Sequence, residues 1–294
     1  MEKSKLRKSY EKRSFQIAIT IWVSFCVVFV MIPLYITIIN SLKTHDEITS
    51  SIFAWTKSGL LDNIRDNYKV ALLGTDIKMG LYEPLFRTVF LGVLGAFCNV
   101  ALGSLLAYQF TYKDFPFKEG IFMMFLAVML LPSIMGMPTL VPLIKTKLNL
   151  GSSVWGYLLP TCAGGQASTL FLFRTFFGQQ PKSIYESAQI EGANGFYIYI
   201  RITLPLAFAI ILYRLVGAFN SMYNDYLWPS LLWMANADLH TITLVIRSNS
   251  DTWKVDSYGA IYAMYILSSI PLIITSTISM KYFSSGDFAS GLKL

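Results

Sequence analysis

The sequence predicts an all-α polytopic membrane protein with six transmembrane helices. Of its 294 residues, 54% are hydrophobic and 14% charged, where a soluble domain of this length carries about a quarter charged residues. The apolar residues form long runs: 15–39, 88–112, 120–144, 148–173 and 257–280 contain no Asp, Glu, Lys or Arg, and a sixth, 202–235, contains only Arg214 and Asp225. Such a run spans about 37 Å as a helix, more than the roughly 30 Å of hydrocarbon it has to cross. Residues 1–13 hold six Lys or Arg against two Glu, and a basic patch beside the first run keeps that end in the cytoplasm.

Each element follows in order from that alternation. Residues 1–14 form a basic cytoplasmic N-terminus, where topology and anionic lipid headgroups account for the charge better than nucleic acid does. The run 15–39 is too long for a signal-peptide core and lacks a small-residue cleavage pattern after it; Pro33 predicts a kink in it. Residues 40–87 fall outside and are too long for a simple connection, which predicts a small folded cap or a docking surface. In 88–112, Gly92, Gly95 and Gly103 predict close helix contacts rather than ligand sites. Lys113–Glu119 returns the chain from the cytoplasm. Pro132, Pro138 and Pro142 interrupt 120–144, and such breaks either line a water-filled path or merely bend the helix. Lys145 and Lys147 mark an outside turn, and Pro160, Gly164 and Gly165 loosen 148–173. Residues 174–201 lie inside, 238–256 form an outside loop, and 284–294 are a cytoplasmic tail. Thirteen Lys or Arg then fall inside against ten outside, a bias resting mainly on the charges before the first span, which usually dominate.

The composition argues against catalysis. No Walker-type glycine loop, Gly-x-Ser-x-Gly elbow, His-Glu-x-x-His pair or Cys-x-x-Cys occurs, and Arg214 and Asp225 are the only charges inside the six runs. Cys26, Cys98 and Cys162 have no metal spacing and read as small packing residues. His45 and His240 lie far apart in polar stretches and read as exposed loop residues. The chain is expected to bind no metal and no cofactor of its own.

The polar stretch 184–205 interrupts the apolar pattern. Ser183-Ile184-Tyr185-Glu186 has capping-box spacing, Gly192 suits the left-handed residue that closes a helix, and Asn194 suits the cap of the next one. Glu186-Ser187-Ala188, three residues, Gly192, nine residues, Ile202, one residue, Leu204-Pro205 resembles the cytoplasmic signature of the membrane subunits of binding-protein-dependent ABC importers, E-A-A, three, G, nine, I, one, L-P. The departure is Ser187 in place of an alanine, small for small. The resemblance implies a cytoplasmic coupling helix in which Ser183, Glu186, Ser187, Ala188, Gly192, Ile202, Leu204 and Pro205 engage an ATPase. Span counting independently puts this stretch on the inner face, within a permease domain covering 15–283.

Arg214 stands nine residues after Pro205, about 14 Å deep. A charge there costs at least about 2.5–3.5 kcal/mol on insertion scales, so it either lines a translocation path or pairs with a carboxylate or backbone carbonyls of a neighbouring subunit. A midplane cation would suit an acidic oligosaccharide or polysaccharide fragment, although neutral oligosaccharides are the broader expectation. Tyr223-Asn224-Asp225-Tyr226-Leu227-Trp228-Pro229 resembles the W-N-D-F-L-W-P segment of sugar-importer permeases, with Tyr223 and Tyr226 replacing the aromatics. Arg214, Asn220, Tyr223, Asn224, Asp225 and Trp228 are thus the candidate path residues, since aromatic faces and amides suit sugars. In maltose-type importers the loop matching 238–256 reaches toward the binding protein, which makes Arg247, Asp251, Trp253 and Lys254 the candidate contacts.

The resemblance further implies a second, homologous but non-identical permease subunit, two cytoplasmic ATPase subunits that carry ATP and Mg, and an extracytoplasmic solute-binding protein. It also implies the bacterial cytoplasmic membrane, with both termini cytoplasmic. A permease for another solute, such as glycerol phosphate, a peptide or an amino acid, is the first alternative. An ion-driven secondary transporter is the second, but it predicts internal repeats and membrane acids, and no clear repeat relates the two halves.

Overall fold

The computed structural model describes residues 2–57, 59–75, 78–252 and 258–284. Among the described residues the fold is helical apart from one antiparallel pair of two-residue strands, and the chain divides into two compact units, Met1–Met79 with Asn249–Leu267, and Gly80–Ser248 with Ser268–Leu294.

The first unit opens with α1 (Glu2–Ser41), which is continuous through Pro33. Every residue from Phe15 to Tyr35 is exposed, as expected of an apolar helix whose surroundings are lipid or another chain. A polar knot ends the helix. Lys43, fully buried, donates to Asn40 Oδ1 (3.0 Å) and to the Ser51 carbonyl (2.9 Å). The side-chain amide of Asn67 donates to the carbonyls of Ser41 and Lys43, both at 2.9 Å. Thr44 and Glu47 form a reciprocal capping box on α2 (His45–Ser50). Then follow α3 (Leu60–Leu73) and the antiparallel strands β1 (Gly74–Thr75) and β2 (Lys78–Met79). The region 40–87 is therefore folded rather than a simple connection. Gly259 completes it, because a Cβ there would stand 2.4 Å from Asn67 Nδ2 and 2.5 Å from the Lys43 carbonyl.

In the second unit, α4 (Tyr82–Tyr112) packs against two later helices through its glycines. A Cβ on Gly95 would meet Met222 Sδ at 2.5 Å, and one on Gly103 would meet Thr169 Cγ2 at 2.3 Å. The predicted close helix contacts are present. The proline-rich run divides into α5 (Lys118–Met129), a 3₁₀ turn at Ser133–Gly136, α6 (Met137–Pro142) and a wide i→i+5 turn at Leu143–Lys147; the parts before and after Leu130–Pro132 meet at 94°. The fourth run becomes α7 (Val154–Gly164) and α8 (Gln166–Phe177), separated at Gly165. There a Cβ would come within 2.1 Å of Asn99 Nδ2, so the break brings the backbone against an α4 side chain. Beyond α8 come α9 (Lys182–Ile190), α10 (Gly195–Ile198), a second wide turn at Tyr199–Thr203, α11 (Leu204–Leu206), α12 (Phe208–Tyr223) and α13 (Leu227–Trp233). Gly195–Leu206 and Phe208–Tyr223 meet at 81°. A 3₁₀ turn at Ala237–Leu239 leads to α14 (Ile242–Thr252), which belongs to this unit up to Ser248, and α15 (Tyr258–Ser284) belongs to it from Ser268 onward.

By length and composition, Phe15–Ser41, Tyr82–Tyr112 and Tyr258–Lys281 each suffice to cross a bilayer, and each of the two bent pairs does so if taken as one span. Two apolar cores hold the second unit. One gathers Phe110, Phe173, Phe177, Tyr185 and Ile198, and the other Leu91, Tyr157, Trp228, Trp233 and Leu244.

Three local expectations are corrected. Ser183 does not cap α9: the helix starts at Lys182 with Pro181 at the cap position and no side-chain cap bond, because the ring-fixed φ of Pro181 sets the entry before the serine. Neither histidine is exposed. His45 is half-buried and stacks on Tyr258 at 4.7 Å, and His240 is buried with its Nε2 3.3 Å from the Met234 carbonyl, so ring stacking and a backbone partner take them out of solvent. The stretch 238–256 is not one loop, because Ile242–Thr252 is helical.

Candidate functional site

The signature stretch forms an exposed nine-residue helix with a glycine stop. Along α9, Ser183, Glu186 and Ser187 face outward, Ala188 is half-buried and Ile190 is 87% exposed. Tyr185 alone is buried, at 5%. Gly192 adopts φ +83°, and the space a Cβ would occupy there is open. The glycine is thus required by its left-handed backbone, which closes α9 as its type predicted. Asn194 accepts from the Tyr197 amide at 2.8 Å and caps α10, also as predicted. Ile202 and Leu204 are half-buried and Pro205 exposed, at the wide turn and the short helix before the 81° bend. Ser183, Glu186, Ser187 and Gly192 therefore share one exposed segment, while Ile202, Leu204 and Pro205 shape the chain that leads back toward α12.

Tyr185 is the main anchor of this helix in the bundle, with Ala188 packed partly against the same core. Its ring stacks on Tyr112 at 4.1 Å, and its hydroxyl bonds Gln180. Tyr112 donates to the Phe177 carbonyl at 2.9 Å, satisfying an acceptor at the end of α8 that has no partner within that helix. In the last turn of α8, Arg174 pairs with Glu119 at 2.5 Å and lies 3.8 Å over the Phe122 ring.

Arg214 is engaged within its own chain. Its Nε donates to Thr169 Oγ1 (2.8 Å), and its second nitrogen lies within reach of Ser168 Oγ (3.1 Å), Asn99 Oδ1 (3.3 Å) and the Gly165 carbonyl (3.3 Å). All four acceptors are neutral. They come from α4, from α8 and from the break before α8, so the guanidinium clamps three helices at the point where the α7–α8 run is interrupted. Sequence reasoning offered a path or a neighbouring subunit and missed these partners. The signal was Asn99 and Thr169, polar side chains inside apolar runs.

The segment 220–228 divides by burial. Tyr223 (2% exposed) and Trp228 (5%) lie in the core, with the Tyr223 hydroxyl donating to the Ser268 carbonyl at 2.7 Å. Asn224 is exposed and Asn220 half-buried. Asp225 accepts from the Trp228 amide at 3.2 Å, tying down the start of α13. Arg247 is exposed on α14, which also carries Asp251 in its last turn. Trp253, Lys254 and the tail 285–294 lie outside the described residues.

Comparisons with known proteins agree in kind. The chain is 27% identical to the arabinooligosaccharides transport system permease protein of Bacillus subtilis (strain 168), over 98% of this chain and 99% of that one. It is also 27% identical to the polygalacturonan/rhamnogalacturonan transport system permease protein of the same organism, over 90% and 92%. To the sn-glycerol-3-phosphate transport system permease protein of Agrobacterium fabrum (strain C58 / ATCC 33970) it is 27% identical over 88% and 91%. Among solved structures, a chain of a bacterial ABC transporter involved in the import of the acidic polysaccharide alginate has the same fold, with a TM-score of 0.78 over 92% of this chain and 97% of that one, at 19% identity. Residues 99–286 match the family described as the binding-protein-dependent transport system inner membrane component. That match covers more than half of the sequence and takes in both the exposed α9 and the glycine that closes it; the chain is therefore a member of this family of inner-membrane transport components.

Proposed function

We propose that this chain is a permease subunit of an ATP-driven importer that moves an oligosaccharide or polysaccharide fragment across the bacterial cytoplasmic membrane. Its companions are a homologous, non-identical permease subunit, two cytoplasmic ATPase subunits that bind ATP and Mg, and an extracytoplasmic binding protein. Both termini and α9 face the cytoplasm. The observation that carries the reading is α9 itself: a short, exposed helix bearing the importer signature, stopped by a left-handed glycine and burying one large side chain, Tyr185, in the bundle. Seated in a cleft on an ATPase, it turns nucleotide-driven closure into motion of the attached helices, and the small Ser187, Ala188 and Gly192 permit close backbone approach. Ile202, Leu204 and Pro205 pass the displacement to the bend before α12. Sugar as cargo is supported by two relatives named for saccharide transport and by the Asn224-Asp225 segment. Arg247, Asp251, Trp253 and Lys254 are proposed to meet the binding protein. Glycerol phosphate is the second reading, because a relative of equal identity is named for it.

The test is uptake by the assembled transporter in vesicles. Gly192→Asp should leave the subunit inserted while separating ATP hydrolysis from uptake, since an L-residue is strained at φ +83° and a carboxylate would enter the contact. Normal transport by that variant would rule out the docking role. Arg214→Ala addresses the cargo: selective loss of acidic sugars would assign it to charge recognition, whereas equal loss for neutral and acidic sugars would leave it as a clamp.

A further inference from the structure

α9 buries one ring, Tyr185, and packs one small side chain, Ala188, partly against the same core, so Tyr185 is the largest buried side chain through which a force applied to α9 can enter the bundle. Tyr185 stacks on Tyr112 at 4.1 Å with 27° between the planes. Tyr112 Oη lies 3.2 Å from Gln180 Oε1, the atom that the Tyr185 hydroxyl also meets, so the two phenols share one anchor. Tyr112 packs at 5.2 Å on Tyr108, one turn earlier in α4, and Tyr108 packs at 5.3 Å on Tyr199. The Tyr199 hydroxyl closes the series on Ser104 Oγ at 2.8 Å. Ser104, Tyr108 and Tyr112 recur at four-residue spacing and so share one face of α4. At the far end, Tyr199 begins the wide turn before the 81° bend into α12. Turns of this kind often mark functional sites inside helices.

We propose that these four tyrosines form the mechanical link by which displacement of α9 reaches α4 and the bend before α12. The proposal rests on α9 being the ATPase contact. Aromatic side chains suit the task because they have only two rotatable bonds, and a close-packed interior has little compressibility with which to absorb a push. Tyr185, Tyr108 and Tyr199 are buried and Tyr112, which joins the first two, is half-buried; each ring packs on the next, so displacement of one bears on its neighbour. These are positioning residues; none is assigned a contact with solute or nucleotide.

The experiment uses the complete transporter in vesicles, with ATP hydrolysis and uptake measured on the same preparation. Tyr112→Leu and Tyr185→Leu should assemble and hydrolyse ATP, while solute moved per ATP falls about threefold or more, the scale of coupling changes seen along such networks. Tyr112→Phe and Tyr185→Phe keep the ring contacts and should retain a ratio near the parent's. The double leucine variant should be no worse than either single one, because both break the same link. An unchanged ratio in the leucine variants overturns the proposal, as does a proportional fall of hydrolysis and uptake, which signals lost assembly alone. An equal loss in the phenylalanine variants also overturns it. A Ser187→Cys cross-link to the ATPase separates the two readings. With the cross-link formed and the ratio unchanged, the tyrosine link alone fails; with no cross-link, the docking of α9 fails and the link fails with it.

Discussion

At the scale of single residues, the sharpest contrast is between two adjacent glycines. A Cβ on Gly164 would meet nothing within 4 Å, whereas one on Gly165 would enter the Asn99 side chain. Asn99 cannot simply swing away, because its Oδ1 accepts from Thr169 at 2.7 Å and lies within reach of Arg214. Gly165→Ala is therefore expected to destabilise the subunit by about 1–3 kcal/mol, the usual cost of overpacking, and Gly164→Ala to leave it nearly unchanged. Thermal unfolding of the two variants in detergent checks this, and equal midpoints would contradict the contact. The sequence showed that two glycines loosen this run. Which of them is indispensable depends on a side chain 66 positions earlier, and no local pattern carries that information. The same holds for Arg214. Its depth was countable from Pro205, but its acceptors come from residues 99, 165, 168 and 169.

At the scale of elements, legibility followed periodicity and backbone chemistry. Gly92, Gly95 and Gly103 indicated close approach without naming a partner, and the structure supplies Phe219, Met222 and Thr169. Gly192 and Asn194 were legible because left-handed φ and side-chain caps are local properties. The Ser183 box failed because two local signals competed and Pro181 prevailed. The knot after α1 was invisible, since Lys43 reads as a surface charge until Asn40 and Ser51 close over it. Burial away from water pushes its amine below the ordinary lysine range, against the opposing pull of Glu47. The unfolded chain then binds more protons than the folded one between that lowered value and the ordinary value of about 10.4. Stability owed to this site should accordingly rise with pH across that window. The stability of the parent minus that of Lys43→Gln, followed from pH 7 upward, should increase; a difference that stays flat or falls would show that the amine is not held this way.

At the scale of the whole molecule, composition and run length were enough for the all-α membrane class, because hydrocarbon leaves few alternatives to helices. The interruptions were less legible. Prolines marked the break after Met129, but the 81° bend before Phe208 follows a wide turn that no single residue announces. The proposed orientation is testable directly. In a background with Cys26, Cys98 and Cys162 replaced, Glu191→Cys should react with an impermeant maleimide only in inside-out vesicles. Asp62→Cys, on α3, should react only from the outside. Labelling of Glu191→Cys in intact cells would overturn the assignment of α9 to the inner face.

Ile190 stands almost bare at the end of α9. With α9 on the inner face, as proposed, a copy synthesised in excess of the proposed ATPase partners would display that greasy tip to the cytosol, where surveillance proteases act on uncovered apolar sequence. Abundance would then be governed by the supply of companions rather than by the rate of synthesis. In pulse-chase, the orphan subunit should have a shorter half-life than the assembled one, and Ile190→Ser should prolong it; an orphan as durable as the assembled subunit would show that the uncovered tip is no liability.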